Sequence, residues 1–211
     1  MHPVIRNLIK DFLQRVYLRD QFLWRLPGAG CSVGLTFDDG PDAALTPKVL
    51  DLLAQYNIKA TFFVIGRNVE CHPEIAHRIV KEGHSIGGHT FSHRVIASMS
   101  KVELENEMTR CRQAIRDATG VDTYLFRPPK GQTDISSLRR VCSLGYRIVH
   151  WSKTYSDYRC DGSAKLLERM YGDPVCSKDV ILLHDHISDT VEALSVIIPI
   201  WKSQGFQFET L

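Results

Sequence analysis

The sequence predicts an α/β fold: a parallel sheet covered by helices, either open and doubly wound or closed into a barrel. Three observations carry this. Seven short runs rich in β-branched and aromatic residues, at 33–37, 60–65, 84–88, 124–126, 146–151, 180–184 and 206–210, recur along the chain, and segments with helix-start and helix-stop chemistry separate them. Strict strand–helix alternation favours parallel strands joined by right-handed crossovers. The length of 211 residues, with 44% hydrophobic and 24% charged, suits one domain burying roughly 70% of its unfolded surface.

The N-terminal segment comes first. In residues 1–27, Val4, Ile5, Leu8, Ile9, Phe12, Leu13, Val16 and Tyr17 recur at helical spacing while Arg6, Lys10, Asp11, Arg15 and Arg19 mostly take the other side. That pattern predicts an N-terminal amphipathic helix whose apolar stripe either packs on the barrel or lies in the headgroup region of an anionic membrane. Thr46 before Pro47 is predicted to cap a helix after the first strand. Ser100 and Glu103 form a capping box ahead of Leu104, Met108, Cys111 and Ile115. Gly83, Gly120, Gly145 and Gly205 each stand where a helix must stop before the next strand.

Composition narrows the function. A net charge of +2 lacks the strongly basic character of a dedicated nucleic-acid binder. No apolar run approaches the ~18 residues of a membrane span, and charges interrupt residues 1–27, so no signal peptide is expected. The expected location is the cytoplasm, with peripheral contact at the cytoplasmic face of the inner membrane as the extension of that reading. The cysteines at 31, 71, 111, 142, 160 and 176 include no C-x-x-C pair; reduced thiols are expected, a disulfide pair being the alternative.

The chemistry gathers where such folds carry their sites. Asp38 and Asp39 follow the first strand, His89 and His93 the third, Arg127 the fourth and Asp157 the fifth, while His184 ends the sixth. Imidazoles four residues apart converge on one metal from a helical or tight-loop turn, and a carboxylate from the Asp pair would complete a two-His, one-carboxylate set with open positions. Adjacent carboxylates repel, so a metal on one and Arg127 beside the other would balance them. A histidine on a strand end facing a metal is a natural proton donor, which Asp157 would orient. Taken singly, the histidines could be surface residues, Asp39 a turn former and His184-Asp185-His186 a solvated loop; their shared rim placement argues against that.

Thr36-Phe37-Asp38-Asp39-Gly40-Pro41, His89-Thr90-Phe91-Ser92-His93, Arg127-Pro128-Pro129-Lys130-Gly131, Asp157-Tyr158 and Leu182-Leu183-His184-Asp185 resemble, in order, the motifs of the polysaccharide deacetylase family (NodB homology, carbohydrate esterase family 4). The resemblance runs over residues 31–211, leaving 1–30 as an N-terminal helical extension. It implies a distorted (β/α)7 barrel with Asp38 as catalytic base, Asp39, His89 and His93 as metal ligands and His184 as general acid. Arg127 would tether Asp38 and Asp157 would tune His184. The implied cofactor is a divalent metal, foremost Zn²⁺, with Co²⁺, Fe²⁺, Ni²⁺ or Mn²⁺ as alternatives. The implied reaction is removal of an N-acyl, foremost N-acetyl, group from an amino sugar in a glycan, with a lipid-linked precursor as one form of substrate.

Pro128, Lys130, Tyr158 and Leu182 would face that substrate. Two of them depart from the family pattern, Tyr158 standing for a tryptophan and Lys130 for an aromatic. The lysine introduces a cation suited to a phosphate or carboxylate near the scissile amide. The competing readings are a non-catalytic carbohydrate-binding relative and a Mg²⁺-dependent phosphatase, which would leave His89 and His93 unexplained.

Overall fold

The computed structural model describes residues 3–211, apart from the side chains of residues 3–6, 15, 16 and 19. Among the described residues the strands are β1 (Phe22–Leu23), β2 (Ser32–Asp38), β3 (Thr61–Val64), β4 (Ser85–Gly88), β5 (Leu125–Phe126), β6 (Arg147–Val149), β7 (Lys153–Thr154), β8 (Val180–His184) and β9 (Gln207–Phe208). They pair in the order β1-β6-β5-β4-β3-β2-β8-β7, all parallel, with β9 attached to the start of β2. This is the curled parallel barrel that the motif resemblance implies, distorted because β1 and β7, at its two edges, do not pair.

Period-two alternation sorts each strand between two layers. Val33, Leu35 and Phe37 of β2, Phe62 and Val64 of β3, and Ile181 and Leu183 of β8 enter the main core. That core also holds side chains from α2 (Thr46–Gln55), α3 (Gly66–Cys71), α4 (Pro73–Lys81), α5 (Lys101–Thr119), α7 (Ser163–Gly172) and α8 (Ser188–Ser203), while α6 (Ile135–Ser143) packs with Phe22, Phe126 and Ile148 in a second cluster. The intervening residues turn into the barrel. Phe63 and Val180 pack with Leu26 and Val149, and Gly34 leaves room for Leu26 and Leu211. Above them Thr36 and Asp38 are buried polar groups, whose partners define the site.

The capping box of α5 is present as the sequence predicts, with Gly120 in the left-handed region at φ 75 closing the helix. Thr46 departs from expectation. It is the first residue of α2 rather than its cap: its hydroxyl accepts from Asp42 N–H and donates to Asp185, while the Asp42 carboxylate accepts from Ala44 and Leu45 N–H. A neighbouring carboxylate has replaced the local capping bond.

Residues 3–30 do more than precede the barrel. α1 (Pro3–Phe12) continues into a π-helical turn, Leu13–Tyr17. After it, β1 pairs with β6, His150 N–H donates to Leu23 O, Leu26 N–H donates to Lys178 O, and Arg25 bridges to Asp179. This segment therefore spans the opening between β6 and β8. Lys10 reaches the Trp151 carbonyl at 2.7 Å, and Gln14 clamps the backbone of Trp24 and Arg25. Leu13 and Tyr17 pack on the core, whereas Leu8, Ile9 and Phe12 are exposed. Of the predicted stripe and its basic face, the side chains of Val4, Ile5, Arg6, Arg15, Val16 and Arg19 lie outside the described residues. Two strands, β1 and β7, have no counterpart among the seven runs read from sequence: β1 lies inside the segment read as a helical extension, and β7 is a Lys–Thr pair outside any apolar run.

Phe22 is 2% exposed, so Phe22→Ala is expected to cost about 3–5 kcal/mol of unfolding free energy, as large-to-small core substitutions do. Leu8→Ala should stay within about 0.5 kcal/mol. Urea unfolding of both variants checks this; equal effects would mean that β1 is not part of the barrel.

Candidate active site

The site forms on the carboxyl rim of the sheet. β2 ends at Asp38, whose register partners are Phe63 on β3 and His184 on β8, so Asp38 and His184 stand at one level on neighbouring strands. Asp39 follows at φ 74, a left-handed conformation that turns the chain out of the strand. Asn68 donates to the Asp39 carbonyl at 2.8 Å, and Ile65 N–H donates to Gly40 O, holding this turn against the loop after β3.

His89 and His93 lie on the loop after β4, which is irregular rather than helical. Thr90 and His93 take φ values of 61 and 60, and Glu107 of α5 accepts from both Ser92 N–H and the Ser92 hydroxyl, at 2.8 and 2.6 Å. The His89 Nδ1–H donates to the Arg127 carbonyl at 2.7 Å, which leaves Nε2 as the free lone pair. That Nε2 is 3.4 Å from Asp39 Oδ1, and His93 Nε2 is 3.1 Å from the same oxygen. One donor atom from each of the three residues lies within 4.8 Å of the others.

Asp39 Oδ1 is buried without a hydrogen-bond partner, and burial holds His89 neutral, its pKa lowered to about 3. An orphaned carboxylate oxygen facing two imidazole nitrogens is a donor set suited to a divalent cation.

Asp38 is 3% exposed and does not share that position. Its Oδ1 accepts from Arg127 Nη1 at 2.7 Å. Arg127, wholly buried, also donates to Thr36 Oγ1 at 2.7 Å and to the carbonyls of Val149 and His150, with its guanidinium 4.2 Å from the centre of the Phe63 ring. Burial pushes the Asp38 carboxyl above its usual range, and the charge of Arg127 opposes that rise.

Asp157 lies in a single 3₁₀ turn after β7 and is 1% exposed. Its carboxylate accepts from His184 N–H, the Thr190 hydroxyl and Tyr158 N–H, and from His184 Nδ1–H at 2.9 Å. His184 Nε2 then faces Asp39 Oδ2 at 3.9 Å. Burial disfavours the His184 cation, but the hydrogen bond and charge of Asp157, with Asp38 and Asp39 nearby, outweigh it and raise the pKa to about 9. At neutral pH the ring is protonated, and its acidic proton is lost as pH rises past that value.

These groups surround a cavity of about 510 Å³. Of the residues expected to face a substrate, Lys130, Tyr158 and Leu182 line it. Pro128 does not: it is buried, and its carbonyl accepts from Gly131 N–H to close the turn that carries Lys130. Trp151 and Thr154 also line the cavity, and sequence reasoning misses both. The signal for Trp151 is nonetheless present, an aromatic just past a strand end. Asp185, next to His184, is fully buried, and its Oδ2 accepts from Thr46; burial raises its pKa to about 7. It fills the space beside Gly40 where any Cβ would fall.

Comparison with known proteins bears on this arrangement. The family model described as "Polysaccharide deacetylase" matches residues 26–149. A Bacillus cereus peptidoglycan-N-acetylglucosamine deacetylase is 38% identical over 85% of this chain, which spans 66% of that relative. A Sinorhizobium fredii chitooligosaccharide deacetylase is 32% identical over 90% of this chain and 96% of its own. The crystal structure of the Bc1960 peptidoglycan N-acetylglucosamine deacetylase superposes with a TM-score of 0.86 at 34% identity, covering 95% of this chain and 94% of that one.

The Asp157–His184 pair yields a measurement that needs no substrate. In an NMR titration the His184 ring should titrate near pH 9, and in Asp157→Asn, without the anion, it should fall to about 6.5 or below. An unmoved titration would remove Asp157 from this role.

Proposed function

This chain belongs to the polysaccharide deacetylase family, and from that premise we propose that it hydrolyses an N-acyl, foremost an N-acetyl, group from an amino sugar in an oligo- or polysaccharide with the help of a divalent cation. The observation that carries this reading is the pairing of Asp38 and His184 at one level of the sheet, beside the three-donor cluster of Asp39, His89 and His93. A non-catalytic carbohydrate-binding relative would have no use for a buried, Arg-held carboxylate opposite an Asp-held imidazolium.

Asp39, His89 and His93 would hold the cation, which when bound supplies Lewis acidity to a carbonyl oxygen and to water. Two imidazoles and a carboxylate suit Zn²⁺, and Co²⁺, Fe²⁺, Ni²⁺ or Mn²⁺ accept the same donors. Asp38, its carboxyl raised by burial and held in place by Arg127, takes the proton from the water that attacks the amide carbon. The new C–O bond is followed by scission of C–N, and His184 Nε2 delivers its proton to the departing amine nitrogen. Amide nitrogen leaves poorly until protonated, so a base without an acid would not complete the reaction. Trp151, Tyr158 and Leu182 shape the wall against which the sugar lies.

The N-terminal helix supports a further part of this reading, peripheral membrane contact that would bring the enzyme to a lipid-linked glycan. Leu8, Ile9 and Phe12 are exposed on α1 while Lys10 and Gln14 tie the helix to the barrel. Three apolar side chains on a fixed helix offer a surface for a lipid headgroup region.

Acetate release from N-acetylated glycan oligomers, read beside metal content, tests the chemistry. His89→Ala and His93→Ala should lose both metal and turnover. Asp38→Asn should keep the metal and lower kcat by about 10²–10⁴. Full turnover in a chelated, metal-free sample would overturn the mechanism. For the helix, co-sedimentation with phosphatidylglycerol vesicles should fall in a Leu8→Ser, Ile9→Ser, Phe12→Ser variant whose turnover of soluble oligomers is retained; equal sedimentation would end the membrane reading.

A further inference from the structure

One wall of the cavity is gripped from outside the barrel. Trp151 lines that cavity just past the end of β6, and it is half-buried. Its ring stacks on His150 with centroids 4.6 Å apart, and it packs so close to Gly131 that a Cβ there would come within 2.5 Å of it. Gly131 closes the turn that carries Lys130. The place of one indole therefore sets two stretches of wall, its own and that of the turn.

Lys10 reaches this indole from α1. Its Nζ donates to the Trp151 carbonyl at 2.7 Å and lies 5.2 Å from the centre of the Trp151 ring and 5.6 Å from that of Trp24. Both distances fall inside the ~6 Å over which an aromatic face attracts a cation, and Lys10 is half-buried, which strengthens the attraction. Trp24 is 3% exposed, and Gln14, one helical turn beyond Lys10, accepts from its N–H at 2.9 Å. The ammonium thus joins a fixed indole on the closing segment to one that faces the groove.

The chain just before Trp151 serves the proposed base. Arg127 donates to the carbonyls of Val149 and His150, and His150 N–H donates to Leu23 O. These bonds hold the backbone as far as His150, and the next carbonyl, past the strand end, is the one Lys10 takes. The bond from Arg127 to Asp38 does not pass through Lys10. Loss of the Lys10 cation would therefore loosen the wall and leave the acid–base machinery in place.

Resting on the deacetylase reading above, we propose that Lys10 is a positioning residue for substrate binding, acting through Trp151. Lys10 is not among the described residues that line the cavity, so its influence passes through the indole. It holds the ring where a sugar will meet it, and the glycan is spared the cost of ordering that wall. On this account α1 is a working part of the groove as well as a neighbour of the barrel.

The test uses the Zn²⁺-loaded full chain and an N-acetylglucosamine tetramer, with KM and kcat from acetate release and Kd from isothermal titration calorimetry. Lys10→Met keeps the aliphatic stem and removes the cation. It should raise KM and Kd by about three- to tenfold and leave kcat within about twofold, the pattern of lost ground-state binding. Lys10→Arg should recover most of the affinity, because a guanidinium keeps both a donor and a charge for the rings. In a Trp151→Ala background, Lys10→Met should change KM and Kd by less than about twofold, since the two residues act as one. A further readout needs no substrate. Of the three tryptophans, Trp24 and Trp201 are buried, so acrylamide quenching reports chiefly on Trp151. Quenching should rise in Lys10→Met, and the rise should vanish once Trp151 is Ala.

Unchanged KM and Kd in Lys10→Met overturn the proposal. A Lys10 effect of full size without the Trp151 ring, or a Lys10→Arg variant no better than Lys10→Met, overturns it equally. Absence of turnover on the tetramer would overturn the deacetylase reading instead, and calorimetry and quenching would then decide the role of Lys10 on their own.

Discussion

The Arg127 guanidinium is the contact on which the rest of the site depends. It is wholly buried, yet it reaches Asp38 and Thr36 on β2 and the backbone beyond β6, while its own carbonyl fixes the tautomer of His89 beyond β4. One side chain therefore sets the position of the proposed base, and one carbonyl sets the orientation of a candidate metal donor. A buried charge is tolerable only when its hydrogen bonds are met, and breaking such a pair from one side typically costs about 3–5 kcal/mol. Arg127 directly follows the two-residue strand β5, which pairs with β4 and β6 on either side.

A second buried acid does the opposite work on the other side of the groove. Asp38 faces a permanent cation, and burial lifts its proton affinity toward that of a useful base. Asp157 faces an imidazole, and its charge lifts that ring toward a useful acid. Each carboxylate is surrounded by donors, but one pair keeps its proton on the nitrogen of the partner and the other offers an acceptor to water. A carboxylate placed to accept a proton beside an imidazole placed to donate one is what an acid–base pair requires. Neighbouring parallel strands provide it readily, because Asp38 and His184 share a register position.

Much of this is legible in the sequence because a strand end shows itself by the break in period and by the polar residue just beyond it. The runs at 33–37 and 180–184 predict β2 and β8 nearly to the residue, and Asp38, Asp39 and His184 stand at their ends. The convergence of His89 and His93 is legible as spacing, but their loop conformation is not, since it rests on Glu107, fifteen residues beyond Ser92 in sequence. Local chemistry suggests Thr46 as a cap, and the distant Asp185 takes its hydroxyl instead. β1 and β7 leave no trace in the pattern because β1 follows directly on the helical stripe, inside the segment read as an extension, and β7 is a polar Lys–Thr pair that only its pairing with β8 makes a strand. The closing of the barrel by residues 22–26 is hidden for the same reason: a parallel pairing with β6 and a bridge to Asp179 are long-range facts.

The contrast between floor and rim explains why chemistry and substrate choice are separable here. Asp38, Arg127, His89 and Asp157 are buried, each fixed by partners from more than one element, so a change at any of them propagates through several strands. Lys130 and Tyr158 are exposed, and the Tyr158 ring stands edge-on to the His184 ring. The floor's hydrogen bonds run among buried groups and do not pass through these rim side chains, so the rim can change while the proposed acid–base pair is held. The two positions read from the sequence as departures from the resembled motifs, Lys130 and Tyr158, both lie on the exposed rim. Trp151 is the exception, a groove wall held from behind by Lys10 of α1. Through it the N-terminal helix bears on the shape of the site as well as on the closure of the barrel.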